Sequence, residues 1–187
     1  MAIVALTNQV EEWLKSTDPV PIADVKDLAH TYSVAQIGDH LGHAFLLLRA
    51  PLLGGRIRST VSRNVADIMK GAEAGPPPLS DARVFFLRPT GRSAFPHFIS
   101  VGRIQNNDVV LDDASVTKFH AFFRVDGEHM TLCDAGSHNG TFADKKRVPG
   151  KDAKETFVPK NGSVLRFGTV ELTFLDAQGL YDVLRSV

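Results

Sequence analysis

The chain has 187 residues, which suits one domain of ordinary size or two small ones. Hydrophobic residues make up 43% of it and charged residues 22%, a globular composition that excludes wholesale disorder. The 21 basic and 21 acidic residues balance, so no basic excess favours general nucleic-acid binding. The single cysteine, Cys133, excludes an intramolecular disulfide and every multi-cysteine metal site.

The N-terminal part carries no pattern typical of a signal peptide or a membrane span. Its most apolar run, residues 44–48, is followed at once by Arg49 and is far shorter than the roughly 20 residues that a spanning helix needs. Glu11, Glu12 and Lys15 interrupt the segment in which a secretory signal would be apolar. We therefore expect a cytoplasmic protein.

Residues 1–75 are predicted to form a small helical region, because apolar residues recur there three and four positions apart. The first helix spans about 3–16, and Ser33 is expected to cap the third. Taken helix by helix, the predicted apolar faces are Ile3, Leu6, Val10, Trp13 and Leu14; Ile22, Val25, Leu28 and Ala29; Val34, Ile37, Leu41, Phe45 and Leu48; Val61, Val65, Ile68 and Met69. A bundle this small needs a neighbouring surface to cover such faces, so we expect it to dock on the rest of the chain.

The sequence changes character at Gly75-Pro76-Pro77-Pro78, and residues 76–81 are predicted to be a short, stiff linker. Beyond it, short β-rich runs alternate with turn residues, which indicates a mainly β sandwich or barrel. The predicted strands are 83–87, 97–101, 109–111, 121–125, 129–133, 164–167 and 170–175. A short helical tail within 178–187, from Leu180 to Leu184, is expected to end the chain.

Three motifs follow one another between Val101 and Thr141: Gly102-Arg103, Thr117-Lys-Phe-His120 and Ser137-His-Asn-Gly-Thr141. In order and spacing they resemble the motifs of the forkhead-associated (FHA) domain family, and the match covers about residues 82–177. The resemblance implies a two-sheet β-sandwich that binds phosphothreonine peptides through loops at one end.

The same resemblance implies a role for each motif residue. Arg103, Thr117 and Lys118 correspond to residues that contact the phosphate, and Asn139 to the residue that grips the peptide main chain just after the phosphothreonine. His138 stands at a position that lines the phosphate pocket in some members. The implied structural residues of the motifs are Gly102, His120 and Gly140.

The chemistry of these residue types fits a phosphate, which carries nearly two negative charges and three acceptor oxygens. Arg103 offers a planar fork of donors, Lys118 a point charge and Thr117 a short hydroxyl donor. Two residues depart from the family pattern: Thr117 replaces the usual serine, and His138 replaces threonine, arginine or lysine.

Each residue also has a plain structural interpretation. Outside this motif order, Arg103 and Lys118 are ordinary solvated cations and Thr117 is a turn hydroxyl. Asn139-Gly140 is a common hairpin turn, with or without a peptide to hold. His138 is either a pocket wall or a bystander, and Cys133 is expected to be an inert core residue.

The motifs do not favour an enzyme. Ser137, Asp134 and either His120 or His138 are triad residue types, but no nucleophile-elbow glycine pattern surrounds the serine. The chain lacks a Gly-x-x-x-x-Gly-Lys nucleotide loop, and its histidines lack the close spacing of a metal site. We expect no catalysis, no cofactor and no metal.

A second hypothesis treats residues 20–50 as a helix-turn-helix, which would make the protein a phosphorylation-linked DNA-binding regulator. The segment from Leu28 to Val34 has the look of such a first helix and turn. The following helix, residues 35–48, would then enter the groove. It offers Gln36, Asp39, His40 and His43 near its start and no early cation, so a packing role is favoured.

The sequence therefore predicts a phosphothreonine-binding signalling or scaffold protein that acts downstream of a Ser/Thr kinase. Its expected partners are a phosphothreonine-containing protein and that kinase, without nucleic acid or membrane, and the sequence carries no signal for an oligomeric state. The helical region is expected to pack away from Arg103 and Thr117. A rival hypothesis is that phosphorylated Thr7 or Thr17 of this chain occupies the pocket.

Overall fold

The computed structural model describes residues 2–49, 77–95, 97–126, 129–153 and 155–187. Its strands, in chain order, are β1 (Val20–Pro21), β2 (Ala44–Leu48), β3 (Arg83–Phe86), β4 (Phe98–Gly102), β5 (Val109–Val110), β6 (Ala121–Asp126), β7 (His129–Asp134), β8 (Thr141–Ala143), β9 (Lys146–Arg147), β10 (Val164–Phe167) and β11 (Val170–Asp176). In this part of the chain they form a seven-stranded sheet in the order β1-β3-β2-β11-β10-β8-β9 and a four-stranded sheet in the order β5-β4-β6-β7. The predicted fold class, mainly β with two sheets, is confirmed.

The two sheets enclose one apolar core. Ile99, Phe123 and Leu132 of the four-stranded sheet are at most 1% exposed and belong to the same buried cluster as Leu46 and Leu165 of the seven-stranded sheet. The strands that the β-rich runs predict appear as β3 to β7, β10 and β11, with ends shifted by at most one residue. This packing makes the sandwich a rigid support for the loops at its ends.

The described helices are α1 (Ala2–Lys15), α2 (Ile22–Val25), α3 (Leu28–Thr31), α4 (Val34–Leu41) and α5 (Ala177–Arg185), with a 3₁₀ turn at Leu79–Asp81. None of them has the length and the apolar run that crossing a membrane requires. Ser33 caps α4 as predicted: its hydroxyl accepts from the Gln36 N–H, while the Gln36 amide oxygen accepts from the Ser33 N–H at 3.0 Å. The C-terminal helix is also confirmed.

The prediction that the third helix continues through Phe45 to Leu48 is wrong. The helix ends at Leu41, because Gly42 follows with φ of +103°, a conformation that breaks the helix and favours glycine. Residues 44–48 then form β2, hydrogen-bonded to β3 on one side and to β11 on the other. All five side chains are buried, and a short run that is apolar on both faces does not distinguish a helix from a central strand.

This strand changes the predicted organisation of the chain. Residues 20–21 and 44–48 belong to the same sheet as β3, so the sheet takes strands from both sides of the predicted linker at 76–81. The Arg49 side chain donates to the Pro77 carbonyl oxygen at 2.6 Å, which holds the two sides of that connection together. The predicted boundary between a helical region, residues 1–75, and a sandwich, residues 82–177, therefore does not hold, because the N-terminal part contributes two strands to the sandwich. The predicted fourth helix, with Val61 and Met69, lies outside the described residues.

The helices cover the outer face of the seven-stranded sheet. The sheet contributes Phe45, Leu47, Val84, Phe86 and Leu175 to a second buried cluster. From α2 to α5, the cluster receives Ile22, Val25, Leu28, Ile37, Leu41, Leu180 and Leu184. No residue of the candidate binding motifs belongs to this cluster, so the prediction that the helices pack on the sandwich away from Arg103 and Thr117 is confirmed.

Candidate functional site

The three sequence motifs meet on loops at one end of the sandwich. Gly102 ends β4 where the backbone of the β5–β6 loop passes close to it. A Cβ atom at this position would collide with the Lys118 carbonyl oxygen and would lie 2.7 Å from the Asn107 side-chain nitrogen. Glycine is therefore required here by the close approach of two loops.

Arg103 is half-buried and is held from two directions. Its backbone N–H donates to the Thr117 carbonyl oxygen at 3.1 Å, and its Nε donates to the Val116 carbonyl oxygen at 3.1 Å. Among the described residues, its terminal Nη groups take part in no hydrogen bond or ion pair. The side chain is thus oriented while two of its nitrogen atoms remain available to a ligand. A hollow of about 510 Å³ beside it is also lined by Ile104, Gln105 and Asp112.

The Thr117 hydroxyl is already used as an acceptor. The backbone N–H of His138 donates to Thr117 Oγ1 at 3.0 Å. A hydroxyl that accepts in this way keeps its own proton for donation. The contact also brings the β7–β8 loop against the β5–β6 loop. The His138 side chain is exposed.

His120 connects the same two loops from beneath. It is fully buried, and its Nδ1 accepts from the Thr117 N–H at 2.9 Å, so the ring proton resides on Nε2 and faces the Gly140 carbonyl oxygen at 3.2 Å. Burial lowers the pKa of His120, which keeps the ring in the neutral form that this pair of hydrogen bonds requires. The geometry places His120 in a structural position and not at the surface where a ligand would lie.

Asn139 lies at the exposed edge of the β7–β8 loop. Its side-chain Nδ2 donates to the Ser115 carbonyl oxygen at 2.7 Å, which fixes the amide and leaves its oxygen and second N–H directed elsewhere. Gly140 follows with φ of +78°, in the left-handed region that favours glycine. The glycine therefore serves the turn that presents Asn139.

Lys118 is exposed, and only its backbone is fixed. Its carbonyl oxygen accepts from the Asn107 side chain at 2.8 Å, and Asn107 also donates to the Ile104 carbonyl oxygen. Asn107 is 2% exposed and thereby joins the loop that carries Ile104 to the loop that carries Lys118. From the sequence, Asn107 could be interpreted only as a turn residue, because the pattern of a turn asparagine is the same whether its side chain is solvated or buried.

A second supporting residue, Asp134, organises the β7–β8 loop. Its carboxylate accepts from the hydroxyls of Ser137 and Thr141 at 2.5 and 2.6 Å and from the N–H groups of Gly136 and Ser137. Burial by itself raises the pKa of Asp134, but these hydrogen bonds together hold it below its usual range. Ser137 donates directly to the carboxylate with no histidine between them, so the triad residue types form a structural network.

Ser115 is the other contributor that the motifs did not single out. Its hydroxyl accepts from the Thr169 N–H at 2.9 Å and thereby joins the β5–β6 loop to the β10–β11 turn of the seven-stranded sheet. Because Asn139 donates to the Ser115 carbonyl oxygen, this joint also fixes Asn139. Nothing in the spacing of a lone serine indicates such a role.

The structure does not form the helix on which the DNA-binding hypothesis depends. The helix expected over 35–48 ends at Leu41 and is followed by the buried strand β2. A recognition helix needs an exposed face long enough to follow the groove, and here Ile37 and Leu41 of α4 are packed in the second cluster.

The rival hypothesis of a ligand within the same chain also meets a structural obstacle. Thr17 is 3% exposed, and its carbonyl oxygen accepts from the Val110 N–H at 3.3 Å. A kinase cannot reach such a hydroxyl in the folded chain. The side chain of Thr7 lies outside the described part.

A rigid sandwich that holds polar donors on loops at one end is the architecture of a binding module. Residues 99–168 match the family model of the FHA domain. The glycogen accumulation regulator GarA of Mycolicibacterium smegmatis is 30% identical over 112 residues, which cover 57% of this chain and 67% of that protein. The chain belongs to the FHA domain family, as its motifs predict.

Two further comparisons cover smaller parts. The oxoglutarate dehydrogenase inhibitor of Corynebacterium jeikeium is 34% identical over 77 residues, which cover 41% of this chain and 49% of that protein. The match thus spans about half of that relative's length. A chain solved for the structural and functional analysis of phosphothreonine-dependent FHA domain interactions aligns with a TM-score of 0.41 at 27% identity, covering 50% of this chain and 83% of that one.

Proposed function

We propose that this protein is a non-catalytic phosphothreonine-binding module that acts as a signalling or scaffold protein downstream of a Ser/Thr kinase. Its partner is a protein that carries the phosphothreonine. Membership of the FHA domain family supports the ligand class. The names of two relatives, a glycogen accumulation regulator and an oxoglutarate dehydrogenase inhibitor, support a regulatory role. The cytoplasmic location stays a prediction.

One observation carries the proposal: the site residues converge on the three-residue segment 115–117. Asn139 donates to the carbonyl oxygen of Ser115, Arg103 donates to those of Val116 and Thr117, and the N–H of His138 donates to the Thr117 hydroxyl. Residues that are far apart in sequence are thereby held around one point before any ligand arrives. Such preorganisation reduces the ordering cost of binding.

The donors left over at this point match a phosphate group. The Arg103 Nη groups supply a planar pair of charged donors, and the Thr117 hydroxyl proton supplies a short one. Lys118 is exposed beside them and adds a point charge. A dianionic phosphate has three acceptor oxygens, and hydrogen bonds to such a charged group are stronger than those between neutral groups.

The position of Asn139 fits recognition of the peptide that carries the phosphate. Its amide is fixed through Nδ2, so the remaining oxygen and N–H can pair with a peptide N–H and C=O. Asn139 and the adjoining His138 are both exposed, which leaves room for an extended main chain. We assign Asn139 to the peptide and the group of Arg103, Thr117 and Lys118 to the phosphate.

The experiment is a titration of the full chain with a phosphothreonine peptide selected from a library, using Arg103→Ala as the test variant. Loss of the charged donors should weaken binding by about 2–3 kcal/mol, or roughly 30- to 150-fold. Arg185→Ala, an exposed arginine on α5, is the matched control and should bind like the wild type. Equal affinity of Arg103→Ala and the wild type, with the fold intact, would reject the site assignment.

A further inference from the structure

Four phenylalanine rings form a closed cluster beside the loop site, and we call them the aromatic patch: Phe95, Phe98, Phe119 and Phe122. Neighbouring ring centroids lie 5.4 Å apart for Phe95 and Phe119, 6.1 Å for Phe119 and Phe122, 4.8 Å for Phe98 and Phe122, and 6.4 Å for Phe95 and Phe98. The rings of Phe119 and Phe122 are nearly parallel. The cluster is thus a fixed surface and not a set of independent side chains.

The patch lies on the outer face of the four-stranded sheet. Phe98 and Phe122 alternate along β4 and β6 with Ile99 and Phe123, which point into the sandwich core. The Arg124 guanidinium covers part of this face, with its central carbon 5.6 Å from the Phe98 ring centroid and 5.7 Å from that of Phe122. The accessible part is therefore the opposite side, where Phe95 is 46% exposed and Phe119 is half-buried.

This accessible side adjoins the proposed phosphate pocket. Phe119 directly follows Lys118 and is two residues from Thr117, so the two Cα atoms are at most about 7 Å apart. Asn139 lies on the opposite side of the pocket: its side chain donates to the Ser115 carbonyl oxygen, and the Ser115 hydroxyl accepts from the N–H of Thr169, in the β10–β11 turn of the seven-stranded sheet. The pocket therefore has the aromatic patch on its four-stranded side and Asn139 on its seven-stranded side.

The two flanks of the pocket give the bound peptide a direction. Asn139 is assigned to the main chain just after the phosphothreonine, so the residues before it run toward the four-stranded side. We propose that the aromatic patch binds an apolar side chain located within about three residues before the phosphothreonine, since an extended chain advances about 3.3 Å per residue. The preferred ligands are then phosphothreonine peptides with an aliphatic or aromatic residue in this stretch. This inference rests on the proposed function.

The test compares four peptides on the full chain by isothermal titration calorimetry. One carries three alanines before the phosphothreonine, and each of the others has a single leucine at one of these positions. We expect one leucine peptide to bind about three- to tenfold more tightly than the alanine peptide, as partial burial of its side chain on the patch implies. No gain at any of the three positions would overturn the inference, and this arm depends on no variant.

Phe95→Ala provides the second arm. In this variant the affinity of the best leucine peptide, divided by that of the alanine peptide, should fall to near one. Val158→Ala is the matched control, because Val158 is 48% exposed and lies outside the patch, and it should keep the preference. A preference that survives in Phe95→Ala overturns the inference. Tight and equal binding of all four peptides overturns it while supporting the proposed function, whereas failure of every phosphopeptide to bind contradicts the proposed function itself.

Discussion

Replacing Thr117 by valine removes one hydroxyl and almost nothing else. Valine has the same shape, so the loop keeps its side-chain volume, but the Oγ1 atom that accepts from the His138 N–H at 3.0 Å is lost. His138 is exposed, so water can take over this N–H, and we expect a stability loss of about 1 kcal/mol or less.

The effect on binding should be larger. The hydroxyl proton is the only neutral side-chain donor that we assign to the phosphate, and a hydrogen bond to a charged group contributes about 1.5–3 kcal/mol. Thr117→Val should therefore weaken the binding of a phosphothreonine peptide by roughly 10- to 150-fold. Thr117→Ser keeps the hydroxyl and should stay within about threefold of the wild type.

Calorimetric titration with one phosphopeptide measures the affinities of the wild type, Thr117→Val and Thr117→Ser. A urea titration of each protein measures its free energy of unfolding. Thr131→Val, a half-buried threonine on β7, controls for the exchange of a hydroxyl for a methyl group outside the site. If Thr117→Val binds like the wild type, the hydroxyl does not face the phosphate and our account of this loop is incorrect.

Three further outcomes follow from the structure. Asn139→Ala should weaken phosphopeptide binding by about tenfold or more and leave the binding of inorganic phosphate nearly unchanged. Equal losses of affinity for both ligands in parallel titrations would instead assign Asn139 to the phosphate pocket. Burial lowers the pKa of folded His120 below the unfolded value of about 6.5, so its contribution to stability is present above that pH and is lost as the pH falls toward the folded pKa. Urea titrations between pH 7.5 and 5.5 should show this fall, and a free energy of unfolding that rises over the same range would contradict it. Deleting residues 1–78 removes β1 and the doubly paired strand β2, so the remaining fragment should lose its cooperative thermal transition by calorimetry. A fragment that melts cooperatively at the temperature of the full chain would show that β2 is dispensable.

Much of the sandwich could be predicted because its strands are short β-rich runs between clear turns. The last strand shows this well, since Val170, Leu172 and Phe174 alternate with Glu171 and Thr173 and point into the core. The strand β2 could not be predicted in the same way. Its residues are buried on both faces, by the sandwich core on one side and the helices on the other, so they carry no alternation.

The candidate site divides along a similar line. Residues that present donors to a ligand stand in motifs with a fixed order, so Arg103, Thr117 and Asn139 could be proposed from sequence. The residues that hold these loops have no such pattern. Asn107 reaches Lys118 across 11 positions of the chain and Ser115 reaches Thr169 across 54, and only the folded sandwich brings these partners together. The helical spacing of apolar residues through Phe45 placed residues 44–48 in the helical region. The predicted boundary between that region and the sandwich was therefore wrong, because these residues form a strand of the seven-stranded sheet.

The central claim is that this protein binds phosphothreonine through the loops around residues 115–117. The most direct measurement is a pair of calorimetric titrations of the full chain with one peptide in its phosphorylated and unphosphorylated forms. We predict saturable one-to-one binding of the phosphothreonine peptide and a loss of about 100-fold or more for the threonine peptide, since the charge-assisted contacts disappear together. Equal affinity for the two forms would contradict the claim.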